Sequence, residues 1–154
     1  MGSFTQLNYH IVFSTKHRRP AITFDLQARL YEYLGGTIRG RKGQSIEIGG
    51  TRDHVHILTK LSPVIAVADV IRDLKSNSSK WISELPESRT RFEWQKGYSA
   101  FTVSYSQIDA VQRYIRGQEE HHRTKSFQEE YEGFLKRHNI EFRPEYLFED
   151  EHVG

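Results

Sequence analysis

Four strand-patterned stretches and two amphipathic helices follow one another in the order β-α-β-β-α-β, with further helical patterns after them. A glycine turn joins the middle strands, and each helix carries an apolar stripe of 3.6-residue period. This order predicts an α+β fold, a ferredoxin-like βαββαβ antiparallel sheet with additional C-terminal helices. At 154 residues the chain reads as a single domain, 1–154, with room for a proper core. Residues 5–122 make the core, and residues 123–154 make a C-terminal helix and an acidic tail.

Leu7 to Thr15 is apolar, aromatic and β-branched on both faces, as a central strand requires. It ends in the basic loop Lys16-His17-Arg18-Arg19-Pro20. Thr23 caps a helix from Phe24 to about Arg39, striped by Leu26, Leu30, Tyr33, Leu34 and Ile38. Gln44 to Ile48 is a short strand, and Gly49-Gly50 turns it into the strand Asp53-His54-Val55-His56-Ile57-Leu58. Ser62-Pro63 reads as a helix start, cap residue then proline, and the helix runs to about Leu85 before Pro86 stops it. Its stripe includes Trp81, which leaves Trp94 as the tryptophan better placed to stack a base. Glu87 to Gly97 is a charged loop with Arg89, Arg91 and Lys96. Tyr98 to Tyr105 alternates again, with Phe101, Val103 and Tyr105 on one face. The next helix opens at Ser106 or Asp109, and a last amphipathic helix spans about Phe127 to Arg137.

Successive strand side chains alternate between faces, so His54 and His56 share one face while Val55 and Ile57 take the other. Two imidazoles on a rigid strand make most of a metal site, yet they equally suit a solvated polar face. Tyr114 and Gln118 stand at i, i+4, one turn apart on one helix face, and His122 continues that face. The same pattern would anchor an amphipathic helix by a half-buried tyrosine. His121 and His122 diverge by about 100° on a helix, so both do not point into one site. In the expected topology the Lys16–Arg19 loop, the Gly49–Asp53 turn and the Arg89–Lys96 loop meet at the histidine end of the sheet. Lys16, Arg18, Arg19, Arg52, Arg89, Arg91 and Lys96 thus form a candidate phosphate-binding rim.

Composition narrows the classes. The absence of cysteine excludes disulfides, thiolate nucleophiles and cysteine-type zinc sites. No apolar run approaches the ~20 residues of a membrane span, and no signal pattern opens the chain, so a cytoplasmic location is expected. Residues 1–125 hold 19 Lys and Arg against 12 Asp and Glu, a balance of +7; residues 126–154 hold 3 against 8, a balance of −5. A basic body suits a polyanionic partner. There is no GxxxxGK[ST] loop, so no nucleotide cofactor is expected. G-x-S-x-G and HExxH are absent too.

His-hydrophobe-His on a strand followed by Tyr-x-x-x-Gln on a later helix resembles the HUH single-tyrosine transposases of minimal bacterial insertion sequences. The likeness runs through Tyr9–Lys16, Gly49–Leu58, Lys75–Trp81 and Tyr114–His122. It implies the HUH endonuclease fold, with Tyr114 as nucleophile and His54, His56 and Gln118 holding a divalent metal, Mg²⁺ or Mn²⁺. It further implies single-stranded DNA with hairpins as substrate, strand transfer through a 5′-phosphotyrosine, and a homodimer with each tyrosine acting in the partner's site. Two alternatives stand beside it. One is a domesticated tyrosine nuclease associated with repetitive palindromes, acting as a monomer. The other is a non-catalytic ferredoxin-like nucleic-acid-binding module, which expects stacking aromatics on the middle strands.

Overall fold

The computed structural model describes residues 2–122, 125–144 and 147. Its sheet has four antiparallel strands, β1 (Asn8–Ser14), β2 (Gln44–Gly50), β3 (His54–Lys60) and β4 (Ser99–Thr102), in the order β2-β3-β1-β4. The helices α1 (Phe24–Gly40) and α2 (Val67–Ser83) fill the two crossovers. This is the ferredoxin-like order expected from the sequence. No helix among the described residues is long and apolar enough to cross a membrane.

Alternation divides the sheet chemically. Ile11, Phe13, Val55 and Ile57 face α1 and α2 and pack with Leu30, Leu34, Ile71 and Leu74, all buried. This apolar layer fixes the register, since a one-residue slip would bury the histidines there instead. The other face carries His10, Val12, His54, His56 and Phe101. The register sets Val12 beside His56 and Ser14 beside His54. Both faces of β3 are covered, so its six residues from His54 to Thr59 are all buried. The second face is closed by α3 (Ile108–Arg116), α4 (Gln118–His121) and α5 (Phe127–Arg137).

Thr23 caps α1, its hydroxyl accepting from Leu26 N. Four expectations change. The helix after Ser62-Pro63 starts only at Val67, because the Ser62 hydroxyl takes the Val64 N–H in a local turn and the first helical turn forms beyond it. The last strand stops at Thr102; the chain then makes a 3-10 turn over Tyr105–Gln107. The tyrosine helix is broken at Gly117, where the chain leaves helical dihedrals and restarts as α4. The tryptophans exchange roles. Trp94 is buried edge-on against Phe13, its indole N–H donating to Ser78 at 2.9 Å. Trp81 is half-buried and stacks on Tyr33. The acidic tail lies largely outside the described residues.

Candidate active site

Two loops' worth of backbone bonds lock the histidine end of the sheet. Thr15 N donates to Asp53 O, Lys16 N to Glu93 O and Ile22 N to Arg52 O. The basic loops therefore meet there as expected, but their side chains divide. Lys16, Arg19, Arg89 and Arg91 line one cavity of about 450 Å³ with Leu26, Ile82 and Leu85, on the α1–α2 side of the sheet. Lys16 and Arg91 both approach Glu93, at 3.6 and 4.0 Å. Arg18 instead donates to Gln128 of α5 at 3.2 Å. Arg52 and Lys96 are exposed and line no part of that cavity.

The opposite face gathers the chemistry. His54 and His56 point the same way from β3, ring centroids 5.1 Å apart, and neither is exposed. Each ring is held from behind. The His54 Nδ1–H donates to Asp53 Oδ1 at 2.8 Å, with Thr51 Oγ1 beside it. His56 Nδ1 shares a proton with His10 Nε2 at 2.8 Å. Such partners fix ring orientation and leave Nε2 facing forward. Burial lowers the pKa of His56 to about 4 and of His10 to about 3, so both rings are neutral near pH 7. Burial alone would raise the Asp53 carboxyl, but the bonds from His54 and Thr51 outweigh it and hold it below its usual range.

Gln118 reaches the pair despite the helix break. Its Oε1 lies 3.0 Å from His54 Nε2 and 3.1 Å from His122 Nε2. Its amide nitrogen faces the Tyr114 carbonyl, which orients the side chain. Tyr114 sits over His10 and His56, ring centroids at 6.3 and 5.8 Å. The sequence-derived set of Tyr114, His54, His56 and Gln118 thus converges within a single chain. The seat of α3 depends on β2: Gln112 and Arg116 both bond Glu47, at 3.1 and 2.8 Å. Gly49, opposite His56 in the sheet register, lets the α3 backbone come close. A Cβ there would fall 2.6 Å from Ile115 O. Gly49→Ala is expected to push α3 outward and to cost about 1–3 kcal/mol of stability. An ångström of displacement at Tyr114 should also slow any adduct formation about 100-fold. Calorimetry and adduct yield check both; an unshifted unfolding midpoint would refute the contact.

Glu130 of α5 enters the same cluster, and sequence reasoning missed it. Its Oε1 lies 3.0 Å from His56 Nε2, 3.2 Å from His122 Nε2 and 3.6 Å from His54 Nε2. Its Oε2 accepts the Tyr114 hydroxyl and lies 3.2 Å from His121 Nε2. Both His121 and His122 therefore reach one carboxylate, contrary to the divergence expected of adjacent helical residues, because α4 ends at this point and His122 leaves helical geometry. Burial would raise the Glu130 carboxyl, but the bonds from His122, His56 and Tyr114 hold it far below its usual range. Burial, the bond to Glu130 and its negative charge all push the Tyr114 phenol upward. His54, His122 and Glu130 form a group whose donor atoms lie within 4.8 Å of one another, as a metal site requires. The missed signal was local: Glu130 stands between Phe127 and Phe134 on an otherwise apolar helix stripe.

The apolar face expected over Tyr98 to Tyr105 is largely covered within the chain. Phe101 stacks on His138 and Phe134, at 4.1 and 5.7 Å, and only Tyr105 is left fully exposed. With α3 and α5 over the sheet face, no platform of exposed middle-strand aromatics remains among the described residues.

Comparison with known proteins gives a consistent picture. The family profile described as "Transposase IS200 like" matches residues 3–118. The ISDra2 transposase TnpA of Deinococcus radiodurans is 25% identical over 122 residues, 76% of this chain and 87% of the relative. The transposase for insertion sequence element IS200 of Salmonella typhimurium is 29% identical over 71% of this chain and 75% of its own length. Among solved structures, a protein described as a transposase from Deinococcus radiodurans R1 superposes with a TM-score of 0.62 at 24% identity, covering 77% of this chain and 95% of that one. A REP-associated tyrosine transposase bound to a REP hairpin superposes with a TM-score of 0.57 at 13% identity, covering 76% and 72%. At these identities the two superpositions speak for the fold.

Proposed function

The chain belongs to the IS200-like transposases, and on that premise we propose that it is a single-tyrosine HUH enzyme that cuts and rejoins single-stranded DNA in the cytoplasm. Tyr114 is its nucleophile. His54, His56 and Gln118 hold Mg²⁺ or Mn²⁺. The observation that carries this reading is the convergence of a tyrosine hydroxyl, two strand imidazoles and an amide oxygen on one sheet face. None of the three donors brings a negative charge, so a divalent ion held by them would keep its charge for the non-bridging oxygens of a phosphodiester. The Tyr114 oxygen attacks phosphorus and loses its proton to solvent, the bond from phosphorus to the 3′-oxygen breaks, and that oxygen takes up a proton and leaves as a 3′-hydroxyl. The phosphotyrosine conserves the bond energy, so the 3′-hydroxyl of another strand can reverse the step without ATP. Asp53 and His10 act behind the donors, keeping each Nε2 turned toward the phosphate.

The likeness to a transposase solved with a REP hairpin supports hairpin ends as the recognised feature. The test uses hairpin-bearing single-stranded oligonucleotides cut from the flanks of the gene. With Mn²⁺, a covalent protein–DNA species resistant to denaturant should appear. No adduct on any flank would reject the reading.

Assembly admits two readings that differ in a measurable way. A homodimer would let the same α3 seat be taken on the sister chain, the outer edge of β4 having no strand partner among the described residues. A monomeric nuclease domesticated from such an element is favoured by the seat of Tyr114 over its own chain's histidines. Mixing a His56→Ala chain with a Tyr114→Phe chain separates them. Rescued cleavage in verified heterodimers establishes the shared site; a stable monomer, or no rescue, establishes the site within one chain.

A further inference from the structure

We propose that Glu130 is a displaceable carboxylate ligand of the same divalent ion, and that α5 holds it in the seat the scissile phosphodiester must take. The inference rests on the reading of His54, His56 and Gln118 as metal ligands, and it makes α5 a cover that competes with DNA.

The spacing of the donors argues for a shared ion. Ligands about 2.0–2.2 Å from one ion stand about 2.8–3.6 Å from each other along the edges of an octahedron or tetrahedron. Glu130 Oε1 lies 3.0, 3.2 and 3.6 Å from the Nε2 atoms of His56, His122 and His54. Gln118 Oε1 lies 3.0 and 3.1 Å from those of His54 and His122.

Hydrogen bonding points the same way. The Nδ1–H of His54 donates to Asp53, which turns Nε2 toward Gln118 Oε1 at 3.0 Å, close enough for both atoms to hold one ion. Charge adds a third argument. Glu130 is 2% exposed, and every ion pair it makes among the described residues is with a histidine. A buried carboxylate needs compensating positive charge, and a divalent ion among these rings would supply it.

The cover follows from access. His54 and His56 are fully buried and Gln118 is 1% exposed. Phe127 of α5 stacks on His54 at 4.3 Å, and Phe134 meets Tyr114 edge-on at 5.5 Å. Glu130 also holds the Tyr114 hydroxyl. A phosphodiester therefore reaches the nucleophile only after Glu130 leaves. The phosphate brings two non-bridging oxygens and one negative charge, so it replaces the carboxylate in kind. Arg18, in the basic loop, donates to Gln128 of α5, so a DNA phosphate drawn to that loop competes for this tie as well.

The test is a Mn²⁺ titration by calorimetry on the full chain without DNA, followed by binding of a single-stranded flank oligonucleotide at saturating Mn²⁺. Glu130→Gln keeps the shape and removes the charge. It should weaken Mn²⁺ about 10–100-fold, the range for supporting groups of metal sites, while binding the oligonucleotide more tightly and forming adduct faster than the wild type. Glu130→Asp keeps the charge one methylene short and should fall between; it carries the test if the glutamine variant does not fold. Unchanged Mn²⁺ affinity in both variants, with His56→Ala severely weakened, overturns the ligand role of Glu130 alone. If His56→Ala also binds Mn²⁺ as the wild type does, the reading of the histidines falls and this inference with it. Equal DNA affinity and equal adduct rate in wild type and Glu130→Gln overturn the competition.

Discussion

Tyr114→Phe is expected to abolish the covalent protein–DNA adduct while leaving hairpin binding within about twofold of the wild type. The substitution removes one oxygen and keeps the ring, whose contacts with His10, His56 and Phe134 do not use the hydroxyl. The described partners it deprives are Glu130, which retains its histidines, and His121 at 3.5 Å, which retains Glu130. Packing therefore supplies no reason for the variant to unfold. Chemistry supplies every reason for it to fail, because among the described residues no other hydroxyl stands over the histidine pair. The loss should exceed about 10³-fold, or about 4 kcal/mol of transition-state stabilisation. The wild type should also be slow while α5 is closed, since burial and the Glu130 charge keep the phenol protonated. Adduct yield on denaturing gels, beside a mobility-shift measurement of hairpin binding, decides the matter. Cleavage by the phenylalanine variant at wild-type rate would remove Tyr114 from the chemistry.

The elements that could be read from the sequence are those whose signals are local and periodic. The β3 alternation put His54 and His56 on one face without knowledge of what covers them. Thr23 and the leucine spacing gave α1 nearly to the residue. The strand order followed from the order of elements, because a split βαβ unit has few ways to close. What was not legible depends on competition between local and distant partners. Ser62-Pro63 carries the composition of a helix start, yet the Ser62 hydroxyl satisfies a turn first. Trp94 looks like a loop residue until Ser78 and Phe13 give it a polar and an apolar partner inside. Glu130 lies 74 residues from His56, beyond the reach of any periodicity argument. An acidic residue on the apolar stripe of the last helix was its one trace, and by itself that trace names no partner.

Removing His56 should have the second large effect, because two separate supports converge on its ring. His56→Ala should weaken Mn²⁺ by more than about 100-fold, a direct ligand being worth at least as much as the groups that orient it, and adduct formation should vanish with it. The metal-free protein should also lose stability. His10 Nε2 loses its partner at 2.8 Å in a region closed to water, and Glu130 Oε1 loses one of its histidines, at 3.0 Å, while keeping His122. An orphaned buried group such as His10 Nε2 costs about 1–3 kcal/mol. These two losses separate in a thermal melt. A ligand that binds only the folded state stabilises by RT ln(1 + [L]/Kd), so the wild-type midpoint should climb steadily with Mn²⁺ concentration. His56→Ala should start lower and climb little over the same range. Glutamine in place of His56 keeps a polar side chain there, so it should recover part of the metal-free stability without recovering the climb. That pattern distinguishes a ligand from a packing residue, because a packing residue would lower both curves in parallel. A Mn²⁺-dependent rise in His56→Ala equal to that of the wild type would place the ion elsewhere and reject the histidine pair as its site.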